Sequence, residues 1–485
     1  MSTKSKIISS LKWSAISKGI SQLASWLVTI YVIRLLAPGD YGLMAMVSVV
    51  IAFLSTFNEF GLGSALVQSK KLNDEEIGAV YGAMLLLGAA LSVLLVLVSP
   101  FIANFFNEPR LQILISVAGL QFLLNAITIV PESMMRREMT FKPLALADLI
   151  GVIAGSLGTL ALAINHYGVW SLVLGNLTGA FFRSVLLIKL NPRRVPPHFR
   201  LRGATAFLSY GGYMTGAKFV AHFMSQADVL IGAKLLGKEA LGLYTVSLQL
   251  ASLPVDKAMS TVNQVAFSAI SRMQDQRREM QQGLLKAIRL LAYLTLPLVY
   301  GLASVAPEFI PIALGPNWGD AVLPLQIVAV VIPLRMIAAF YATAIYGVGR
   351  ADLGFRNTLV GAAILPFCFY VGAHWGAVGL AAGWLVGTPT VFWLNFRRSK
   401  DALGISFRQL FGALAKPFLS ALCMVLALLV VRFTLPETLK PWITLSLLIW
   451  LGAITYGMVA FALDSQLRKD VISMPRMQRL VKSIK

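Results

Sequence analysis

Apolar residues in this chain form runs of roughly 20, separated by short polar segments. A helix of about 20 residues crosses about 30 Å of hydrocarbon, whereas the strands of a membrane barrel would alternate over about 10 residues. The runs do not alternate. The pattern predicts an all-α membrane protein with about fourteen transmembrane helices, at 16–36, 42–66, 77–104, 111–131, 145–165, 168–190, 207–236, 241–266, 285–314, 321–346, 357–374, 376–396, 414–434 and 442–463.

Composition supports a membrane environment. Of the 485 residues, 57% are hydrophobic and only 13% are charged, too few to cover a soluble surface of this size. The basic start continues into a long first span with no small-residue cleavage site, so we expect no cleavable signal peptide. Cys368 and Cys423 both lie within apolar runs, so they indicate neither a disulfide framework nor a zinc site.

The basic residues predict the orientation of the chain. Most of the 42 Lys and Arg residues lie on alternate connections, such as "KLNPRRVPPHFRLR" at 189–202 and "RRSK" at 397–400. The turns on the other side, such as "APGDY" and "GPNWGD", are short and carry few. The positive-inside rule therefore predicts cytoplasmic N- and C-termini. The net charge of +21 mostly reflects the basic residues of these cytoplasmic connections, so we expect no nucleic-acid partner.

The sequence contains an internal repeat. Residues 34–43, "RLLAPGDYGL", align with 234–243, "KLLGKEALGL", and a second echo relates 166–175 to 374–383 at a similar shift. We predict two parallel six-helix lobes, 1–200 and 201–400, followed by a helix pair and a basic tail at 401–485. Two such lobes can rock about a cleft and expose it to each side of the membrane in turn, as transporters do. A scaffold of duplicated helices is the alternative.

Charged residues within the spans favour the transporter. Lys18 heads a polar stripe on the first span, and Lys218 occupies the equivalent position on the seventh. Each charge near a span centre costs about 3 kcal/mol, so such residues usually face water or the bundle interior. Lys18 and Arg183 can alternatively extend to the membrane interface. We predict a hydrated, mostly cationic central cleft with the substrate-binding candidates Lys18, Lys218, Arg335, Lys257 and Arg183.

Three carboxylates in the spans, Glu59, Asp228 and Asp256, are candidates for ion or proton coupling. Glu59 has a second interpretation, as a strut that pairs with Lys18 and neutralises its charge. His222 is more often a satisfied polar residue than a proton relay.

Motifs for enzyme chemistry are missing from the sequence. The glycine-rich pieces "GLGS" and "YGVGRADLG" match no nucleotide motif, and there is no Walker sequence, HExxH or nucleophile elbow. We therefore predict that the chain is not an enzyme and has no catalytic residues, no cofactor and no metal.

Three stretches of the sequence resemble a known family. The stretch "RLLAPGDYGLMAMVSVVIAFLSTFNEFGLGSALVQ" at 34–68 resembles the first helical hairpin of the Wzx-type polysaccharide flippases of the multidrug/oligosaccharidyl-lipid/polysaccharide exporter superfamily. The resemblance continues at 130–151 and 166–177. It implies a bacterial inner-membrane protein that flips polyprenyl-pyrophosphate-linked oligosaccharides for surface polysaccharide biosynthesis. A polysaccharide polymerase and export machinery are further candidate partners.

The implied substrate agrees with the cationic residues. A pyrophosphate carries at least two negative charges, which Lys218 with Lys18 or Arg335 could hold by charge-assisted contacts. Three alternatives remain open. A lipid II flippase would use similar chemistry, and a cation-coupled multidrug antiporter would be expected to line its cleft with carboxylates and aromatic residues. A membrane-embedded polysaccharide polymerase or ligase would be expected to carry a sizeable external loop, and the outer turns here are short.

Overall fold

The computed structural model describes residues 25–26, 28–58, 66–67, 73–191, 195–199, 222–272, 277–436 and 439–472. Within these ranges it describes the backbone alone at 57–58, 254, 256–272, 277 and 469–472. The chain divides into two compact units, Met1–Thr245 and Val246–Lys485. The lobe boundaries near 200 and 400 stay a prediction.

The first unit is built from helices throughout its described part. In chain order these are α1 (Pro38–Asn58), α2 (Asp74–Phe106), α3 (Leu111–Ala118), α4 (Leu120–Arg137), α5 (Phe141–Ile164), α6 (Val169–Leu190) and the start of α7 (Gly237–Arg272). Further helical residues lie at 28–35 and 222–235. The start of α2 is fixed by a capping box, in which the Asn73 side chain accepts a hydrogen bond from the Glu76 backbone at 2.7 Å.

The second unit continues α7 and is likewise helical in its described part. It contains α8 (Arg277–Ala313), a 3-10 turn (Pro316–Ala321), α9 (Val322–Gly347), α10 (Ala351–Ala373), α11 (Gly376–Leu403), α12 (Phe407–Thr434), α13 (Pro441–Leu463) and the short α14 (Ser465–Ile472). A second capping box, between Ser406 and Gln409, starts α12.

The helices confirm the predicted fold class. Among the described residues, eleven helical segments are long and apolar enough to cross a membrane, and each of them overlaps one predicted run. The other three predicted runs correspond to residues 28–35, residues 222–235 and α7, where much of the run or of its side chains lies outside the described part. The chain is therefore an all-α, multi-pass membrane protein.

Glycines let α5 and α6 pack closely. A Cβ added to Gly155 would lie only 3.2 Å from the Gly175 carbonyl oxygen, and one added to Gly151 would lie 3.1 Å from that of Gly179. Small residues at a membrane-helix interface allow such backbone approach. The tight hairpin brings side chains near the far ends of α5 and α6 within reach of one another.

Candidate functional site

Arg183 lies on α6, and two carboxylates neutralise it. Its Nε contacts Asp148 Oδ1 on α5 at 2.8 Å, and its Nη2 contacts Glu132 Oε2 on α4 at 2.8 Å. Glu132 also pairs with Arg136, one helical turn further along α4, at 2.7 Å. We call these four residues the Arg183 network. It joins three helices of the first unit and contains as many acidic as basic groups.

Arg335 has a different environment. It lies about 20 Å from the start of α9 and about 18 Å from its end, at 1.5 Å per residue. Its guanidinium stacks over the Trp384 ring of α11, 3.9 Å from the ring centroid. The buried Nη1 atom has no hydrogen-bond partner among the described residues. The structure thus brings Arg335 to an aromatic face and to no described carboxylate.

Further polar atoms lie unpaired along the interface of α9 and α11. The hydroxyls of Tyr341 and Thr388 are buried and have no hydrogen-bond partner among the described residues. The Tyr341 ring packs against Phe396, with centroids 5.6 Å apart. Buried polar groups without a protein partner are usually satisfied by water or by a ligand. Together with Arg335, these groups make the interface suited to a polar ligand.

Asp228 is the one coupling candidate whose side chain is described. It is buried in the first unit, where its carboxylate accepts a hydrogen bond from the Tyr244 hydroxyl. His222 lies nearby in sequence and packs edge-on against Phe53, with ring centroids 6.0 Å apart. Lys18, Glu59 and Lys218 lie outside the described residues, and Asp256 and Lys257 lie on α7 with the backbone alone described. Their predicted roles stay predictions.

The segments that align in the repeat contact each other at one end of the first unit. We call it the Asp40 end, because Asp40 Oδ1 there accepts a hydrogen bond from the Val169 backbone at 3.0 Å. A Cβ added to Gly42 would overlap the Lys238 carbonyl oxygen, and one added to Gly242 would overlap that of Pro38. Each residue of one contact is shifted by 200 from its counterpart in the other, because Gly42 corresponds to Gly242 and Pro38 to Lys238. A local twofold axis that relates the two segments requires this reciprocal pattern. The register deduced from the sequence is therefore also the register of this contact.

A cluster around Asp464, which the sequence analysis missed, joins the C-terminal helix pair to α8. Asp464 is fully buried just after α13, and Tyr293 of α8 donates a hydrogen bond to it at 3.0 Å. Lys416 of α12 lies 3.5 Å from the same carboxylate. Burial opposes ionisation, but hydrogen bonds from the Gln466 backbone, the Tyr293 hydroxyl and the Leu467 backbone, with the Lys416 charge, lower the pKa of Asp464 below its ordinary value. In the sequence, a single aspartate directly after an apolar run could have indicated this cluster.

A second ion pair that was not predicted from the sequence lies at the opposite end of α12. Arg432 donates hydrogen bonds to Glu308 of α8 and to the Ser304 carbonyl oxygen, the latter at 2.9 Å. Both charged residues fall near the ends of predicted spans, and no pairing between them was predicted from the sequence. Among the described residues, no three histidine, cysteine, aspartate or glutamate side chains are placed as metal ligands would be.

Comparison with known proteins agrees with this architecture. Residues 31–323 match the family described as polysaccharide biosynthesis protein. The lipopolysaccharide biosynthesis protein WzxC of Escherichia coli (strain K12) is 27% identical over 91% of this chain and 89% of its own length. The succinoglycan biosynthesis transport protein ExoT of Rhizobium meliloti (strain 1021) is 24% identical over 96% of this chain and 95% of its own.

The fold also matches a solved structure. Lipid II flippase MurJ in its inward closed conformation superposes with a TM-score of 0.74 over 95% of this chain and 99% of MurJ, at 16% identity. At that identity the match speaks for the fold alone. The family match covers more than half of the sequence, and it confirms the resemblance to the Wzx-type flippases. The chain belongs to the polysaccharide biosynthesis protein family.

Proposed function

We propose that this protein flips a polyprenyl-pyrophosphate-linked oligosaccharide across the bacterial inner membrane during surface polysaccharide biosynthesis. The family match and the transport relative ExoT support a transporter rather than an enzyme. The lipid-linked substrate is consistent with the fold shared with MurJ. A pyrophosphate cannot enter hydrocarbon bare, so its carrier must supply positive charge inside the membrane.

The environment of Arg335 is the observation on which this proposal mainly rests. This guanidinium lies in the middle of a membrane helix, and its buried N–H has no partner in the part of the chain that the structure describes. Such a charge is costly unless an anion or water joins it. The planar guanidinium offers paired N–H groups that match two phosphate oxygens. The Trp384 ring behind it holds the group in place by a cation–π contact.

We assign different roles to the remaining candidate residues. Lys18, Lys218 and Lys257 add positive charge for the pyrophosphate, while Glu59, Asp228 and Asp256 are the candidates for coupling to an ion or proton. Arg183 is already neutralised by Glu132 and Asp148, so we assign it a structural role. Coupling through Asp228 would require its bond to Tyr244 to rearrange.

Orientation and partners are also proposals. We place both termini in the cytoplasm, which puts the Asp40 end on the outer side of the membrane. At that end the reciprocal contact of Gly42 and Gly242 holds the two repeated segments together. The translocated unit would then reach a polysaccharide polymerase and the export machinery outside.

A translocation assay tests the proposal. Glycolipid isolated from a strain that lacks this gene is placed in liposomes with the purified protein, and periodate added outside reports newly exposed sugar. We expect exposure well above that of protein-free liposomes and little exposure with lipid II. Exposure equal to the protein-free control would contradict the proposal. Faster translocation of lipid II than of the glycolipid would instead support the lipid II alternative.

A further inference from the structure

A cavity of about 320 Å³ lies in the first unit between α1, the α3–α4 segment and α6. Its volume falls at the lower end of the range for small-molecule sites, about 300–1,000 Å³. Four polar side chains, those of Ser48, Ser55, Gln121 and Asn176, share its lining with aliphatic residues and methionine. None of the described residues that line it carries a formal charge. We call this cavity the neutral pocket.

Three of the four polar side chains of the neutral pocket lie at similar depth, and Ser55 lies about 10 Å further along α1. Helices α1, α3 and α6 are parts of alternate spans, and all three begin at the Asp40 end. At 1.5 Å per residue, Ser48 lies about 15 Å along α1, and Asn176 about 10 Å along α6. Gln121 lies about 15 Å beyond the start of α3, just after the break at Gly119. The pocket is therefore near mid-membrane.

The two amides in the pocket are available to a ligand. Among the described residues, the side chains of Gln121, which is half-buried, and Asn176, which is exposed, have no hydrogen-bond partner. An amide at this depth cannot face lipid without a cost of several kcal/mol, so it must meet water or a polar ligand. The hydroxyl of Ser55 is already satisfied by the Ala52 carbonyl oxygen at 2.7 Å. The amides therefore define which ligand the pocket accepts.

We propose that the neutral pocket binds an uncharged sugar ring of the transported glycolipid. This inference rests on the proposed function and adds a subsite separate from the cationic one. An amide both donates and accepts hydrogen bonds, as a sugar hydroxyl does, and the aliphatic wall suits the C–H face of the ring. A pyrophosphate would find no positive charge here among the lining residues. A site that hydrogen-bonds hydroxyls also discriminates against sugars that lack them.

Export in a gene-deleted strain gives the first test. We expect Asn176→Leu and Gln121→Leu each to lower surface polysaccharide about tenfold at unchanged protein level, as loss of one or two hydrogen bonds implies. Thr178→Val is the matched control, because Thr178 lies on the same helix outside the pocket and donates to the Leu174 carbonyl oxygen at 2.8 Å. Full export by the Asn176→Leu/Gln121→Leu double variant would overturn the proposal.

Cross-linking identifies what occupies the pocket. A photoreactive residue is placed at position 176, or at 178 as control, in cells labelled with radioactive sugar or radioactive phosphate. Mild acid then cleaves the bond between sugar and pyrophosphate. We expect the protein cross-linked at 176 to retain sugar label and lose phosphate label.

Retention of phosphate label would overturn the proposal, because it would place the pyrophosphate in the pocket. Absence of both labels at 176 would also overturn it, provided that the wild-type chain restores export. Failure of the wild-type chain to restore export would contradict the proposed function itself, which separates the two failures.

Discussion

Arg183 and Arg335 are two arginines in membrane helices with opposite surroundings. Arg183, in the first unit, contacts Glu132 and Asp148, each at 2.8 Å. Arg335, in the second unit, stacks on Trp384 and has a buried N–H without a partner among the described residues. Burying a charge is tolerated when it is paired, so the first arrangement is complete in the protein alone. The second is not completed by any described residue of the protein.

This difference shows how to separate structural from functional charges in a membrane protein. The presence of a cation within a span is weak evidence for a site, because Arg183 satisfies that criterion and is neutralised. The informative property is the missing counter-charge. By that criterion Arg335 is the strongest anion-binding candidate among the described residues, and the predictions below test the criterion.

The largest expected effect is on transport by Arg335→Gln. Loss of two charge-assisted hydrogen bonds, at about 2 kcal/mol each, should slow glycolipid translocation about 1,000-fold. Protein level and thermal stability should stay near those of the wild type, because no described ion pair is broken. Translocation in proteoliposomes and a melting curve in detergent give both readouts, and Arg335→Lys should retain part of the activity.

The next effect is on stability, in Glu132→Leu. This change leaves both Arg183 and Arg136 without their shared carboxylate, and we expect a loss of about 3 kcal/mol in the free energy of unfolding. The melting temperature in detergent and the amount of membrane-inserted protein should both fall. Replacement of Arg183 by Met in the same chain should restore part of the loss. An unchanged melting temperature in Glu132→Leu would mean that the network contributes no stability.

A smaller, pH-dependent effect is expected at Asp464, a paired charge outside the membrane helices. Its pKa is lowered in the folded protein, so its stabilisation is complete above the unfolded pKa of about 4 and is lost as pH falls through the lower folded value. Asp464→Asn should cost about 2 kcal/mol at neutral pH. The gap in melting temperature between wild type and Asp464→Asn should close at low pH; a constant gap would contradict the assignment.

The smallest effect is expected for Arg397→Gln, which sharpens the comparison with Arg335. Arg397 also lies over a tryptophan, with 5.6 Å to the Trp393 ring centroid, but both residues are exposed. An exposed cation–π contact contributes about 0.5–1 kcal/mol. Translocation should remain within about twofold of the wild type. A loss as large as that of Arg335→Gln would show that stacking on tryptophan, rather than burial without a partner, marks the functional arginine.

Much of the Arg183 network could have been predicted from sequence. Asp148 and Arg183 lie at similar distances from the turn between α5 and α6, so a tight antiparallel hairpin places them near each other. Glu132 and Arg136 are four residues apart on one helix, a common spacing for an ion pair. Of these four residues, Arg183 alone was a candidate from sequence, so its pairing was missed.

The surroundings of Arg335 could not be predicted in the same way. Trp384 belongs to a helix that is not the next one along the chain, and its contact depends on how α9 and α11 pack. Hydrophobic periodicity locates both helices but does not fix their relative rotation. The neutral pocket could not be predicted for the same reason. Its polar residues are distributed over three alternate spans, and no sequence motif connects them. The helices themselves were predicted because apolar length alone determines them.

Two variants distinguish directly between Arg335 and the Arg183 network as the functional cations. Glycolipid translocation is compared, at equal amounts of folded protein in liposomes, between Arg335→Gln and the variant Glu132→Gln/Asp148→Asn/Arg183→Met, which removes charges of both signs from the Arg183 network. If a cation without a described counter-charge marks the pyrophosphate site, the triple variant should translocate within about threefold of the wild type, since these partly exposed ion pairs can be replaced together by neutral residues. Arg335→Gln should fall to the protein-free background. Normal translocation by Arg335→Gln together with loss in the triple variant would contradict the account.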